Sequence, residues 1–149
     1  MTSPPAPQQR PRVVDIAFWL LIVGATVMIV GGLMALTATY DAARASIPDT
    51  VSDDDVRNYL TIYRSSGVGV AAAAAALAFF AGRARRGDAR SRRATFGLVF
   101  AILVVVLLLA VGIGVAHPLV LLALLPMLVG VSLSAGPTAR TWYVEDQRA

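Results

Sequence analysis

Four long apolar runs, separated by short polar segments, divide this chain, and a chain so divided has few ways to fold in water. A bilayer's hydrocarbon core is about 30 Å thick and takes about 20 helical residues to cross. The first run extends from Val14 to Thr39, and the second and third occupy 59–82 and 95–116. In the third, Ile102 to Val111 is continuously apolar, and the fourth covers Pro118 to Ala135. Hydrophobic residues make up 57% of the chain and charged ones 15%, against about 25% charged in soluble domains. The expected fold class is therefore all-α, an integral membrane four-helix transmembrane bundle.

The segments between the runs complete the organisation. Residues 1–13 contain four prolines and few apolar residues, which predicts a disordered tail. Residues 40–58 form a polar segment, residues 83–94 a basic loop, and residues 136–149 a second tail. The first run is too long for the apolar core of a signal peptide, about 7–15 residues, so a retained helix is expected. Phe18, Trp19, Tyr40, Trp142 and Tyr143 stand near run ends, where amphipathic rings favour the membrane interface.

Local signals place the helix starts. Ser46-Ile-Pro-Asp49 reads as a turn, and Ser52 is positioned to accept from the Asp55 amide. Asp53, Asp54 and Asp55 suit the positive end of a helix dipole. Val56, Tyr59, Leu60 and Tyr63 then recur at helical spacing, so residues 53–82 are expected to form one rod roughly 45 Å long. Pro118 suits a first helical turn after His117. Pro126 is expected to kink the last helix.

Orientation follows from the arginines, which supply all thirteen basic residues. Six lie in the central loop and two in each tail, whereas 41–64 holds three among several aspartates. The positive-inside rule then places both termini and the central loop in the cytoplasm and 40–58 outside, in an inner (plasma) membrane. Basic flanks of apolar runs differ from the spread basic face of a nucleic-acid binder, so no nucleic-acid partner is expected.

Candidate functional residues are few. Arg83, Arg85, Arg86, Arg90, Arg92 and Arg93 serve topology, and they are also candidates for anionic-lipid contact. Gly67, Ala71 and Ala75 fall four apart, as do Gly97/Ala101 and Gly130/Ser134, and small residues let helix backbones approach in lipid. Gly67, Ala71 and Ala75 are the candidate helix-packing face. Asp15 and Arg64 lie near run ends, within reach of the interface, which favours structural roles. His117, the one histidine, reads as a polar cap on a tight turn. The acidic triplet lacks the alternating ligands of a calcium loop. With no cysteine, no triad around His117 and no glycine-rich phosphate loop, the residues point to no catalytic site, no metal and no cofactor.

Pro11-Arg12-Val13-Val14-Asp15-Ile16-Ala17-Phe18-Trp19, the Arg83-to-Arg93 loop and the His117-Pro118 hairpin together resemble a group of small, uncharacterised four-span inner-membrane proteins of actinobacteria, mycobacterial in type. The resemblance implies a bacterial inner membrane and no activity. The functional expectation is a non-enzymatic accessory or scaffold subunit. It would act by helix packing with other integral membrane proteins or with itself, and through residues 41–64. The alternatives are a small oligomeric transporter or channel, with Asp15 or Arg64 lining a watery path, and a lipid-handling enzyme using His117 or an outer aspartate.

Overall fold

The computed structural model describes residues 10–114 and 117–139, and among them it is all-helical. The elements are α1 (Arg12–Leu36), α2 (Tyr40–Ser46), α3 (Asp53–Arg85), α4 (Ala89–Leu108) and α5 (Pro118–Ala135). All but α2 are long and apolar enough to cross a membrane, with α4 counted through Gly112.

The four long helices share one core, in which Met28, Leu77 and Met127 are fully enclosed and Ile102 and Val106 complete the α4 side. Helix α1 packs against both α3 and α5, whereas α4 lies on α3 and more lightly on α5. The sequence dictates this through glycine. Gly24 and Gly31 sit two turns apart and meet Met127 and Val120 of α5. Gly32, about 100° further round the helix, meets Gly67 of α3 instead. A Cβ at Gly32 would come 2.6 Å from the Gly67 carbonyl, so the two backbones are in contact. On α5, Gly130 abuts the Ala17 carbonyl in the same way. In lipid, close backbone approach of this kind is a main source of helix association.

Capping sets the ends. Ser52 accepts from the Asp55 amide at 3.2 Å and opens α3, and Asp88 accepts from the amides of Arg90 and Ser91 to open α4. Gly87, at φ 95, makes the left-handed turn between them. His117 Nδ1 accepts from the Leu119 amide, with Pro118 in the first turn of α5.

Several boundaries differ from the sequence expectation. Helix α1 starts at Arg12, inside the expected tail 1–13, with the Pro11 carbonyl accepting from the Val14 amide at 3.0 Å to open its first turn. It stops at Leu36, and α2 follows at Tyr40 with Thr39 as its cap, where 40–58 was expected to be polar segment up to a short helix start. The basic loop 83–94 is mostly helix: α3 runs to Arg85 and α4 begins at Ala89, since the turn needs only Arg86, Gly87 and Asp88. The third span loosens into a π-helical turn over Leu109–Ile113 and ends at left-handed Gly114. Gly112 in that stretch weakens an α-helix by about 1 kcal/mol, and Gly114 takes the left-handed conformation that ends one. Pro126 sits within an unbroken α5. Val115, Ala116, the proline-rich residues 1–9, and Trp142 and Tyr143 lie outside the described residues.

Candidate functional site

The helix lengths and antiparallel packing gather the arginines of three helices at one end of the bundle. Asp15, in the first turn of α1, meets Arg85, in the last turn of α3: Nε donates to Oδ1 at 2.8 Å. Arg10 Nη1 reaches the same oxygen at 3.3 Å. The Arg85 guanidinium also lies 4.6 Å from the Phe18 ring centroid, a cation–π contact that fixes its plane. One carboxylate thus orients two cations. Beside them Arg10, Phe18, Gly82, Arg85 and Arg86 line a cleft of about 300 Å³.

Arg92 does something different. Its Nη2 donates to the Ser134 carbonyl at 2.8 Å, on the last turn of α5, where helix carbonyls have no partner of their own. Its guanidinium also lies 5.1 Å from the Phe96 ring. Arg83 sits 3.6 Å from Asp88 and over Phe79, and Arg86, Arg90 and Arg93 are exposed. The six candidate lipid-contacting arginines therefore divide: Arg92 turns inward to the end of α5, Arg85 pairs with Asp15 while still lining the cleft, and Arg83, Arg86, Arg90 and Arg93 remain outward-facing. The hydroxyl and amide of Ser91 bond to Asp88 and hold its carboxyl below the usual aspartate value.

At the opposite end, α2 folds over the first turns of α3. Arg44 holds it there by donating to the carbonyls of Ile47, Pro48 and Val51, with Asp49 and Asp53 nearby. A hydrogen bond to Asp53 pushes the Tyr40 hydroxyl above its ordinary pKa. Tyr59 and Tyr63 stack 5.9 Å apart, and with Ala42 and Ile47 they border a cleft of about 670 Å³. Arg64 donates to the Ala38 carbonyl just past the end of α1. At opposite ends, Arg92 thus covers the carbonyl end of α5, whereas Arg64 ties the link between α1 and α2 to α3.

The candidate packing face does not form a single line. Gly67 and Ala71 contact Gly32 of α1, but Ala75 is exposed, and Ala74 is the residue buried in the core one turn on. A four-residue step advances about 400°, so two such steps drift about 80° off the contact line. Gly97 and Ala101 are exposed, whereas Gly130 packs on α1 and the Ser134 hydroxyl bonds back to its carbonyl. A groove of about 270 Å³ opens between α3 and α4, bordered by Gly69, Ala73, Ala101 and Val105. Nothing lies within 4 Å of where a Cβ on Gly69 would stand.

Gly82 and Arg44 were not singled out from the sequence. For the meeting of Asp15 with Arg85 a signal existed. An acid in the first turn of one span and arginines closing the next must share a membrane face, because consecutive spans run in opposite directions. Among the described residues, no three of the His, Asp and Glu side chains gather in a way that would hold a metal ion.

The fold and its charged ends define a class: an all-helical protein with four helices apolar enough to cross a membrane. Comparisons with models of protein families, with curated proteins and with solved structures find no match.

Proposed function

We propose that this chain is a non-enzymatic integral membrane protein, an accessory or scaffold subunit that packs against helices of partner membrane proteins. The observation that carries the reading is the α3–α4 groove. The small residues of α1 are used in contacts inside the bundle, whereas Gly69 and Ala101 stay open on the lateral surface. A partner helix could seat its side chains there with close backbone approach. The bundle interior favours this over a transporter or channel, because Met28, Leu77 and Met127 fill the space that a path through one protomer would need.

The arginine distribution supports an inner-membrane location with both chain ends and the α3–α4 turn in the cytoplasm. Because the chain lacks cysteine, single cysteines at Asp49 and Arg90 report sidedness cleanly. An impermeant maleimide should label position 49 in intact cells and leave position 90 unlabelled.

The test of function is mild-detergent affinity purification at native expression, with mass spectrometry. A stoichiometric membrane partner is expected with the wild type and should be lost with Gly69→Leu/Ala101→Leu. Retention of that partner by the double variant would remove the groove from the reading. Recovery of a lone symmetric oligomer would instead support a channel or transporter, to be followed by flux measurements in liposomes.

A further inference from the structure

We infer that the cleft between Arg10, Arg85 and Arg86 binds the phosphate of an anionic phospholipid headgroup. This goes beyond the partner-docking reading and uses a different surface.

The inference rests on how the cleft is built. Its cations come from two places in the chain, the residues before α1 and the end of α3, so the concavity exists only in the folded bundle. Asp15 occupies part of the donor capacity of Arg10 and Arg85, and the Phe18 ring holds the Arg85 plane. A guanidinium carries five N–H donors, and one carboxylate oxygen leaves most of them available. Three cations against one carboxylate leave a surplus of about two positive charges facing the cleft, which complements a phosphodiester or phosphomonoester. Arginine suits that ligand because its planar fork matches phosphate oxygens two at a time. Orientation by Asp15 lowers the ordering cost of binding.

Depth and space agree with charge. The cleft lies at the ends of two helices apolar enough to cross a bilayer, where headgroup phosphates reside. Gly82 supplies the space: nothing lies within 4 Å of where its Cβ would stand, so the absent side chain is not used for helix packing. Phe18 beside it offers an apolar surface to the first carbons of an acyl chain. Arg90 and Arg93 are equally charged but exposed on α4, and they do not line this cleft. A diffuse electrostatic attraction would use them as much as the cleft. The geometry assigns the site to the cleft.

The experiment is native mass spectrometry of protein released from nanodiscs of phosphatidylcholine alone or mixed with phosphatidylglycerol. Thermal unfolding of every variant serves as a folding check. Wild type should retain phosphatidylglycerol in preference to phosphatidylcholine. Gly82→Leu keeps every charge and fills the cleft, and it should reduce retention about tenfold. Arg86→Gln removes one of the three cations on the cleft and should lower retention roughly fivefold through the lost charge-assisted hydrogen bonds to phosphate. Arg90→Gln/Arg93→Gln should retain lipid within about twofold of wild type. The inference is overturned if Gly82→Leu retains lipid as wild type does, or if the Arg90/Arg93 pair accounts for the retention. Added inorganic phosphate separates the sources. Displacement of the lipid by millimolar phosphate would reassign the cleft to a soluble anion, and persistence of the lipid supports a headgroup site.

Discussion

Gly32 and Gly67 meet backbone to backbone where α1 crosses α3, each so close that a Cβ would lie 2.6 or 2.5 Å from the other's carbonyl oxygen. Backbone cannot yield as a flexible side chain can, so even one methyl must push the helices apart. Gly67→Ala should therefore destabilise the bundle by about 1–3 kcal/mol, the usual range for overpacking. Gly82→Ala, with open space around it, should be neutral or stabilising by up to about 1 kcal/mol through helix propensity. Thermal unfolding in detergent compares the two. Equal effects would mean that the crossing is not tight.

Arg92 covers the carbonyl end of α5 and Arg64 holds the Ala38 carbonyl in the link after α1, and their surroundings differ. Arg92 is half-buried and Arg64 exposed. Hydrogen bonds to charged groups contribute about 1.5–3 kcal/mol when sheltered from water. Arg92→Ala should cost about 1–2 kcal/mol and speed amide exchange in the last turn of α5. Arg64→Ala should cost less than about 1 kcal/mol. Unchanged exchange around Ser134 in the Arg92 variant would contradict the capping role.

Asp15 and Arg85 should be coupled. Both side chains are about one-third exposed (38% and 32%), so the coupling should stay near 0.5–1 kcal/mol, the range of partly solvated ion pairs. A double-mutant cycle with Asp15→Ala and Arg85→Ala measures it. Strict additivity would show that the short contact contributes nothing to stability.

Asp88 gives the pH dependence. Hydrogen bonds from Ser91 lower its carboxyl below the ordinary value of 3.8. A depressed folded-state value means that the unfolded chain takes up the proton first as pH falls. The stabilisation is complete at neutral pH and disappears as pH drops through and below 3.8. The gap in unfolding temperature between wild type and Asp88→Ala should therefore be present at pH 7 and narrow by pH 3. A gap that persists at pH 3 would place the effect in something other than the carboxylate.

The parts of this fold that were legible in the sequence depend on contiguous residues. Four apolar runs, the Ser52 cap and the His117-Pro118 start can all be read within a few positions. Helix α2 could not be, because seven residues do not sustain a helix alone; Arg44 holds it against a loop that takes its form only over α3. Asp15 and Arg85 are seventy positions apart. That they share an end follows from topology, but that they touch depends on how α1 rotates against α3. The same rotation decides between Ala74 and Ala75, which spacing by fours could not distinguish from spacing by sevens.

Helix α5 has 18 residues, about 27 Å at 1.5 Å each. The uncharged stretch of α3 between Arg64 and Arg83 also has 18 residues and the same length of about 27 Å. Both are slightly short of an average hydrocarbon core of about 30 Å, and the bundle cannot stretch to close the gap. Thinning of a surrounding bilayer by a few ångströms, snorkelling of the flanking arginines or oligomerisation would each close that gap, at a fraction of a kcal/mol per ångström. If the two short spans set the bundle's hydrophobic thickness, insertion into a bilayer thinner than average should raise its thermal stability relative to a thicker one.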